Sequence, residues 1–204
     1  WSLQQIAEKV VKEEVSKTKS RYDTQNAALG AIDPSNGDIL ALVGSKDYFN
    51  SDEDGNVNIL TTQQSPGSSI KPLVYAQAFT KGYNPDSYLF DVPTNFETSP
   101  GLPAYEPNNF NLQFNGPVSM RRALATSLNV PAVKTLYLAG IKDTLDLGNK
   151  LGITDYKRDR KSGLAMALGG AELKLIEHFG SYSAFANDGK FNKAIVFDGN
   201  NDYV

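Results

Sequence analysis

The segment from Tyr83 to Pro117 most constrains how this 204-residue chain can fold. It is rich in proline and asparagine, and its apolar residues follow neither the period of an amphipathic helix nor that of a strand. Long segments without regular structure are uncommon in compact domains, and those that occur usually carry a function. The sequence therefore predicts an irregular excursion that shapes a binding cleft, with regular elements before and after it.

Regular elements are predicted on both sides of this excursion. Residues 1–20 place apolar side chains at helical spacing among Glu and Lys, which indicates an amphipathic helix that packs on a sheet. Residues 27–32 and 39–43 are apolar runs joined by a turn rich in Asp, Asn and Gly, which favours a β-hairpin. Residues 46–64 are polar and typical of a loop. Further helices are predicted over residues 68–81, 118–126, 132–138, 143–151 and 173–187.

The composition excludes several classes of function. The formal net charge is −3 and the basic residues are scattered, so the chain lacks the positive patch that nucleic acid binding requires. The absence of cysteine excludes disulfides, thiol catalysis and thiolate metal sites, and a single histidine, His178, excludes most histidine-based metal clusters. We therefore expect neither a metal nor a cofactor. No stretch approaches the roughly 18 to 20 apolar residues that a membrane span needs.

Ser68 and Lys71 form a Ser-x-x-Lys pair at the start of a predicted helix. Residues three apart share a helical face, so the lysine amine would lie near the serine hydroxyl and could take its proton. The pattern is weak alone, since roughly one match is expected by chance in a chain this long. Ser16 and Lys19 match it too, but they lie within the charged first helix. Ser68 instead follows a Pro-Gly breaker and precedes an apolar run, which favours it as the nucleophile of an acyl-transfer enzyme.

Two physical conditions follow for this pair. Lys71 can act as a base only when it is neutral, so the site has to lower its pKa by burial or by nearby positive charge. Pro72 lacks a backbone N–H, so it is expected to leave the carbonyl of Ser68 without its helical partner and to distort the backbone at the nucleophile.

Ser127 and Asn129 form the one Ser-x-Asn pattern in the chain, where a predicted helix gives way to Pro131. In an extended stretch alternate side chains point the same way, so both could project into a cleft. Ser127 could then relay a proton, and Asn129 could hold a substrate amide. The alternative is a helix C-cap in which Asn129 adopts the left-handed conformation.

Longer strings surround these pairs: PGSSIKP at 66–72, RALATSLNVPAV at 122–133 and ALGGAE at 167–172. Weaker matches are AIDPSNG at 31–37, YEPNNF at 105–110 and FANDGK at 185–190. In this order the strings resemble the penicillin-binding proteins, specifically the transpeptidase domain of the bifunctional class A type. The resemblance spans nearly the whole chain and implies an α+β fold of the penicillin-binding transpeptidase, serine β-lactamase-like kind.

The resemblance also implies a role for each residue of the two pairs. Ser68 would be the acylated nucleophile, Lys71 its base, Ser127 a proton shuttle and Asn129 a ligand of the donor peptide. The implied activity is that of a D,D-transpeptidase that cross-links peptidoglycan stem peptides ending in D-Ala-D-Ala and is inhibited by β-lactams. The implied location is the extracytoplasmic face of the bacterial membrane, with a covalently linked glycosyltransferase domain as a partner.

One family motif departs from the pattern. Lys-Thr/Ser-Gly on a core strand should follow Phe185 by many tens of residues, whereas the sequence ends at Val204. We therefore expect residues 1–204 to be the N-terminal portion of a transpeptidase domain, truncated before its C-terminal strands, with residues 1–20 a helix near the interdomain linker. Lys161-Ser162-Gly163 matches by letter, but no apolar strand leads into it, so a chance match is favoured.

Other interpretations stay open for the whole chain. A D,D-carboxypeptidase or β-lactamase-like hydrolase would send water to the same acyl-enzyme, and a degenerate homologue would bind peptidoglycan without turnover. Residues 50–61 resemble the start of an EF-hand loop, but Thr61 replaces its final glutamate, so a solvated acidic loop is favoured. His178 is expected to be structural. A set of aromatic residues is expected to anchor the excursion rather than to line a peptide groove: Phe90, Phe96, Tyr105, Phe110 and Phe114.

Overall fold

A computed structural model describes residues 1–96, 104–154 and 163–192. These residues contain six α-helices: α1 (Ser2–Tyr22), α2 (Lys71–Thr80), α3 (Met120–Ala125), α4 (Asn129–Ala139), α5 (Ile141–Lys150) and α6 (Leu175–Ala186). They also contain six short strands: β1 (Leu29–Ile32), β2 (Ile39–Val43), β3 (Gln63–Gln64), β4 (Tyr88–Asp91), β5 (Gly116–Ser119) and β6 (Leu173–Lys174). Three segments are 3₁₀ helices: Ser51–Glu53, Gly67–Ile70 and Gly163–Leu168. The chain divides into two compact units, and both mix helices with antiparallel strands.

The first unit comprises residues 1–64 together with 151–154 and 173–192 of the described chain. Its predicted first helix and hairpin are confirmed. β1 and β2 pair antiparallel from Leu29 opposite Val43 to Ile32 opposite Ile39, and α1 packs on β2. The stripe that α1 buries has a spacing of four residues: Ala7, Val11 and Val15.

A side chain of α1 also covers the free edge of the hairpin. The Gln4 amide donates to the Leu42 carbonyl at 3.0 Å and accepts from the Leu42 N–H at 2.9 Å. It therefore occupies the two backbone groups that a further strand would have used, which protects this strand edge. Elsewhere in the same unit, β3 pairs antiparallel with β6.

The second unit comprises residues 65–96, 104–150 and 163–172 of the described chain. Its α2 packs against α4, and β4 pairs antiparallel with β5. The buried residues that form its core come from α2, both strands, α3 and α4: Tyr75, Leu89, Val118, Met120, Ala123 and Ala132.

The ribbon of β4 and β5 corrects the expectation that residues 83–117 lack regular structure throughout. In β4, Leu89 and Asp91 are buried while Tyr88 and Phe90 face outward. This inverts the usual pattern of strands, in which aromatic residues are buried and carboxylates exposed, so the alternation was not recognisable as a strand. Residues 116–119 likewise form a strand, and the helix that was predicted from residue 118 begins at Met120.

The start of α4 corrects a second expectation. A helix was predicted from residue 132, whereas α4 begins at Asn129 and includes Pro131 in its first turn. Proline is tolerated there because the first N–H groups of a helix have no partner within the helix. The helices predicted over 143–151 and 173–187 are confirmed as α5 and α6. None of the described helices is long and apolar enough to cross a membrane.

Candidate active site

Ser68 and Lys71 lie on either side of a helix boundary. Ser68 is exposed within the 3₁₀ helix Gly67–Ile70, and Lys71 is the first residue of α2, with a relative exposure of 1%. The distortion expected from Pro72 is present, since the backbone at Ser68 is 3₁₀ rather than α-helical, but the Ser68 carbonyl is not left unpaired. In the tighter 3₁₀ turn that carbonyl accepts a hydrogen bond from the Lys71 N–H, so Pro72 is accommodated in the first turn of α2 without leaving it unpaired.

Gly169 supports the backbone of this segment. Its φ is +88°, and a Cβ there would lie 2.3 Å from the nitrogen and 2.5 Å from the Cα of Gly67. The neighbouring Ser65 hydroxyl donates to the Gly169 carbonyl at 2.7 Å. Only glycine permits such a contact between two backbones at positive φ. The Ala-Leu-Gly-Gly string therefore packs, through Gly169, against the backbone of Gly67, the residue directly before Ser68.

The Lys71 amine is directed at Ser127 and Asn129. Its Nζ donates to the Ser127 carbonyl at 2.7 Å, to the Ser127 hydroxyl at 3.1 Å and to Asn129 Oδ1 at 2.8 Å. These residues were predicted to lie together, and the structure places them so. Within the described chain none of the hydrogen bonds of Nζ goes to the Ser68 hydroxyl. The structure thus brings Ser127 and Asn129 to the amine of Lys71, while the fourth candidate residue, Ser68, is exposed.

Burial lowers the pKa of Lys71 from 10.5 to about 8, because the enclosed ammonium loses its hydration. Its hydrogen-bond partners are neutral oxygen atoms, which hold an ammonium less strongly than a carboxylate would. With a pKa near 8, about one such lysine in ten is neutral at pH 7, compared with about one in several thousand for an unperturbed lysine. Lys71 therefore meets the condition that a base at neutral pH has to meet.

The turn between α3 and α4 directs the oxygens of Ser127 and Asn129 toward the Lys71 amine. Ser127 has a φ of +53°, Leu128 is extended and Asn129 is the first helical residue. The left-handed residue is therefore Ser127, and the alternative that assigned this conformation to Asn129 is wrong. A left-handed conformation costs a non-glycine residue roughly 1–2 kcal/mol. Such strain often marks functional sites.

Asn108 and Asn109, two residues of the excursion that the sequence did not single out, accept hydrogen bonds from the side chain and the backbone of Asn129. Its Nδ2 donates to the Asn108 carbonyl at 2.9 Å, and its backbone N–H donates to Asn109 Oδ1 at 2.8 Å. The Val130 N–H also donates to Asn109 Oδ1, at 3.3 Å. Both asparagines lie in the YEPNNF string, where two consecutive amide side chains after a proline were the available signal.

Asp91 lies behind Asn109 and was also missed. It is fully buried at 0% relative exposure and accepts from Asn109 Nδ2 at 2.8 and 3.0 Å. Asn115 donates to the same carboxylate from its backbone N–H at 2.9 Å and its Nδ2 at 2.7 Å. Nothing in the sequence distinguishes this aspartate from an exposed one, because its partners lie 18 and 24 positions away.

The remaining expectations concern residues away from this cluster. Lys161 and Ser162 lie outside the described residues. In the EF-hand-like loop, Asn50 caps the short 3₁₀ helix, and the described residues contain no group of three or more metal-ligating side chains. His178 is buried in α6.

The aromatic residues of the excursion differ in their burial. Phe96 is buried at 9% relative exposure, and its backbone pairs with that of Tyr105. Phe90 and Phe110 are exposed at 60% and 101%. The expected anchoring therefore holds for Phe96 and is wrong for Phe90 and Phe110.

Comparisons with known proteins identify the family to which the chain belongs. The family model described as the penicillin binding protein transpeptidase domain matches residues 27–202. Penicillin-binding protein 2D of Bacillus subtilis is 34% identical over 92% of this chain and 26% of its own length. Penicillin-binding protein 1C of Escherichia coli is 36% identical over 81% of this chain and 21% of its own length. The chain thus spans about a fifth to a quarter of these curated relatives.

Solved structures show the same fold. Penicillin-binding protein 1A of Haemophilus influenzae superposes with a TM-score of 0.70 at 34% identity, over 79% of this chain and 23% of that one. The PonA1 protein of Mycobacterium tuberculosis, solved in complex with penicillin V, gives 0.73 at 20% identity over 91% and 50%. The predicted α+β transpeptidase fold is therefore confirmed. Since the family model matches far more than half of its residues, the chain belongs to the family of penicillin-binding protein transpeptidase domains.

Proposed function

We propose that this chain carries the acylation site of a serine D,D-transpeptidase that forms peptidoglycan cross-links. Ser68 is the nucleophile, Lys71 its base, Ser127 the proton relay and Asn129 the ligand of the donor peptide. The observation that carries the proposal is the buried Lys71 amine, 3.1 Å from the Ser127 hydroxyl and 2.8 Å from Asn129 Oδ1, one turn after an exposed Ser68.

The first step of the proposed reaction forms an acyl-enzyme. Neutral Lys71 accepts the Ser68 proton while the Ser68 oxygen attacks the carbonyl carbon of the penultimate D-alanine. The tetrahedral intermediate collapses, and the bond to the terminal D-alanine breaks. The leaving amine takes a proton from the Ser127 hydroxyl, which Lys71 replaces, so Lys71 is neutral again and Ser68 carries the donor peptide as an ester.

The second step transfers the donor to an amine of a neighbouring stem peptide. The amine attacks the ester carbonyl, its proton passes through Ser127 to Lys71, and the departing Ser68 oxygen recovers a proton from Lys71. The product is an amide cross-link, and the enzyme returns to its starting state. Water in place of the amine would make the same chain a carboxypeptidase or a β-lactamase-like hydrolase.

Asn129 keeps hydrogen-bonding capacity for a substrate. Its amide already donates one N–H to the Asn108 carbonyl and accepts from Lys71 through Oδ1. An asparagine amide has two N–H donors and two acceptor lone pairs, so one donor and one lone pair stay available. A peptide group of the donor strand presents the complementary acceptor and donor.

The wider context of the protein is part of the same proposal. Residues 1–204 are the N-terminal portion of a transpeptidase domain, with α1 near the linker to a glycosyltransferase domain. The ligands are stem peptides ending in D-Ala-D-Ala and β-lactams, and the site faces the outside of the bacterial membrane. The penicillin V complex of PonA1 supports the β-lactam part through the shared fold.

The test is the intact mass of the protein after incubation with benzylpenicillin. One penicilloyl group is expected on the wild type, none on Ser68→Ala, and one on the matched control Ser16→Ala, which alters the chance Ser-x-x-Lys match. An adduct on Ser68→Ala, or none on either this chain or a longer form that contains it, would refute the proposal. A D-Ala-D-Ala peptide with and without an added acceptor amine then separates transfer from hydrolysis.

A further inference from the structure

A buried chain of polar side chains lies behind Asn129 in the second unit. We infer that Asp91 and Asn109 are positioning residues, which fix the backbone of Asn129 and thereby the oxygens that receive the Lys71 amine. This inference rests on the proposed function and adds two residues to it, whose hydrogen bonds within the described chain go neither to Ser68 nor to Lys71.

The burial of Asp91 is the first observation. A carboxylate without exposure is costly unless hydrogen bonds satisfy its oxygens. In the described chain its hydrogen bonds come from the amide of Asn109 and from the backbone and side chain of Asn115. The bonds from Asn115 alone would tie the end of β4 to β5. The bonds to Asn109, which is itself 3% exposed, extend the network toward α4.

The direction of the Asn109 amide is the second observation. Its Nδ2 faces both Asp91 oxygens and the Gln113 carbonyl, the last at 2.9 Å. An ionised carboxylate and a carbonyl accept hydrogen bonds and donate none, so the nitrogen end of the amide has to face them. Oδ1 is therefore turned toward the N–H groups of Asn129 and Val130. Asp91 thus sets the orientation of the Asn109 amide together with the Gln113 carbonyl.

The start of α4 explains why this orientation matters. Helices expose unpaired N–H groups at their N-terminus, and an Asn, Asp, Ser or Thr at the N-cap usually satisfies them. The N-cap of α4 is Leu128, which makes no side-chain cap. Asn109 supplies the missing acceptor from 20 residues away. It therefore holds Asn129, whose Oδ1 lies 2.8 Å from the Lys71 amine.

The experiment compares two variants with a control, in a form of the protein that gives the Ser68 adduct. Asn109→Leu keeps the approximate size and removes the acceptor for the N–H groups of α4. Asp91→Asn keeps the shape but introduces a donor toward Asn109, so only the Gln113 carbonyl still accepts from the nitrogen end of that amide. The control Thr144→Ala, in α5, removes another side-chain hydrogen bond of the same unit, from the buried Thr144 to the Gly140 carbonyl at 2.8 Å.

The rate constant of acylation by benzylpenicillin and the dissociation constant of the preceding complex are measured separately, together with the melting temperature. Both variants are expected to lower the acylation rate constant by about 10²-fold, as a small displacement of a catalytic group does. The dissociation constant should change much less, and Thr144→Ala should acylate at the wild-type rate although it melts lower.

The possible outcomes distinguish failure of the inference from failure of the proposed function. A folded Asp91→Asn or Asn109→Leu protein that acylates within threefold of the wild type would overturn the inference and leave the proposed function standing. The inference would also be overturned if either variant lowered the acylation rate constant no more than Thr144→Ala does, when the two proteins have equal melting temperatures. A wild type without an adduct refutes the proposed function, and the inference with it.

Discussion

The surroundings of Lys46 and Lys71 show two ways in which the same chain encloses a lysine. The Lys46 side chain is 18% exposed and pairs with the carboxylate of Glu53, which Lys19 also contacts at 3.0 Å. Lys71 is 1% exposed, and within the described chain its hydrogen-bond partners are the neutral oxygens of Ser127 and Asn129.

The difference teaches what makes a buried lysine reactive. A carboxylate partner favours the charged form, whereas burial among neutral groups penalises it. Lys46 and Lys19 lower the pKa of Glu53 by hydrogen bonding to it, whereas burial lowers the pKa of Lys71 to about 8. Lys46 thus serves to tie a loop, and Lys71 is able to lose and regain a proton near neutral pH.

The largest expected effect comes from replacing each lysine by arginine. A guanidinium stays protonated at all accessible pH values and cannot act as a base. Lys71→Arg should therefore lower the rate of acylation by benzylpenicillin by about 10³-fold, within the range for loss of a general base. Lys46→Arg keeps the ion pair to Glu53 and should acylate at the wild-type rate. Equal rates for the two variants would remove the distinction between the two environments.

The second-largest expected effect is the pH dependence of the acylation rate, which should follow the titration of Lys71. Only neutral Lys71 accepts the Ser68 proton, so with a pKa of about 8 the acylation rate should rise by about 10²-fold between pH 6 and pH 9 and then level off. A rate profile that is flat over this range, measured with benzylpenicillin by intact mass, would show that Lys71 is not the titrating base.

At neutral pH the two shifts contribute to stability with opposite signs, since the shift of Lys71 destabilises the fold and that of Glu53 stabilises it, although each makes stability rise with pH within its own window. The folded-state pKa of Lys71 is lowered, so the unfolded chain binds more protons between about pH 8 and 10.5, and stability should rise through that window. The folded-state pKa of Glu53 is also lowered, but there the charged form is the favoured one. Its stabilisation is present above pH 4.5 and should be lost as the pH falls through the folded pKa. Amide hydrogen exchange in each region checks both signs.

Much of the fold was predictable because it depends on neighbours in the sequence. The period of α1 and the turn between β1 and β2 are local patterns, and both predictions are confirmed. The β4–β5 ribbon was missed because its alternation buries Asp91 and exposes Phe90, contrary to hydrophobic patterning. Nothing local reveals that this carboxylate is satisfied by Asn109 and Asn115.

The candidate site divides in the same way. The pairs Ser68 with Lys71 and Ser127 with Asn129 were visible as short patterns, and the resemblance of longer strings brought them together. The left-handed φ of Ser127 was not visible, because serine seldom adopts it and a Pro-containing turn suggested Asn129 instead. Asn109 caps α4 although it lies 20 positions before Asn129 in the sequence, and a spacing pattern within one helix or strand cannot predict a contact over that separation.

Two glycines give the smallest expected effect and the sharpest comparison of the two regions. A Cβ at Gly55, in the loop that Lys46 ties, would lie 2.0 Å from the Asp47 carbonyl oxygen, and one at Gly169 would lie 2.3 Å from the Gly67 nitrogen. Both overlaps involve backbone atoms, which no side-chain rotation relieves. Gly169 also has a φ of +88°, for which alanine pays roughly 1–2 kcal/mol in addition.

Gly55→Ala and Gly169→Ala should therefore both lower the melting temperature, but only Gly169→Ala displaces the backbone that precedes Ser68. We expect it to slow acylation of the folded protein by about tenfold, because misplacement of a nucleophile raises the barrier even when its chemistry is intact. Gly55→Ala should acylate at the wild-type rate. If Gly169→Ala folded and acylated normally, the contact with Gly67 would serve stability alone, and the support of Ser68 would have to come from α2.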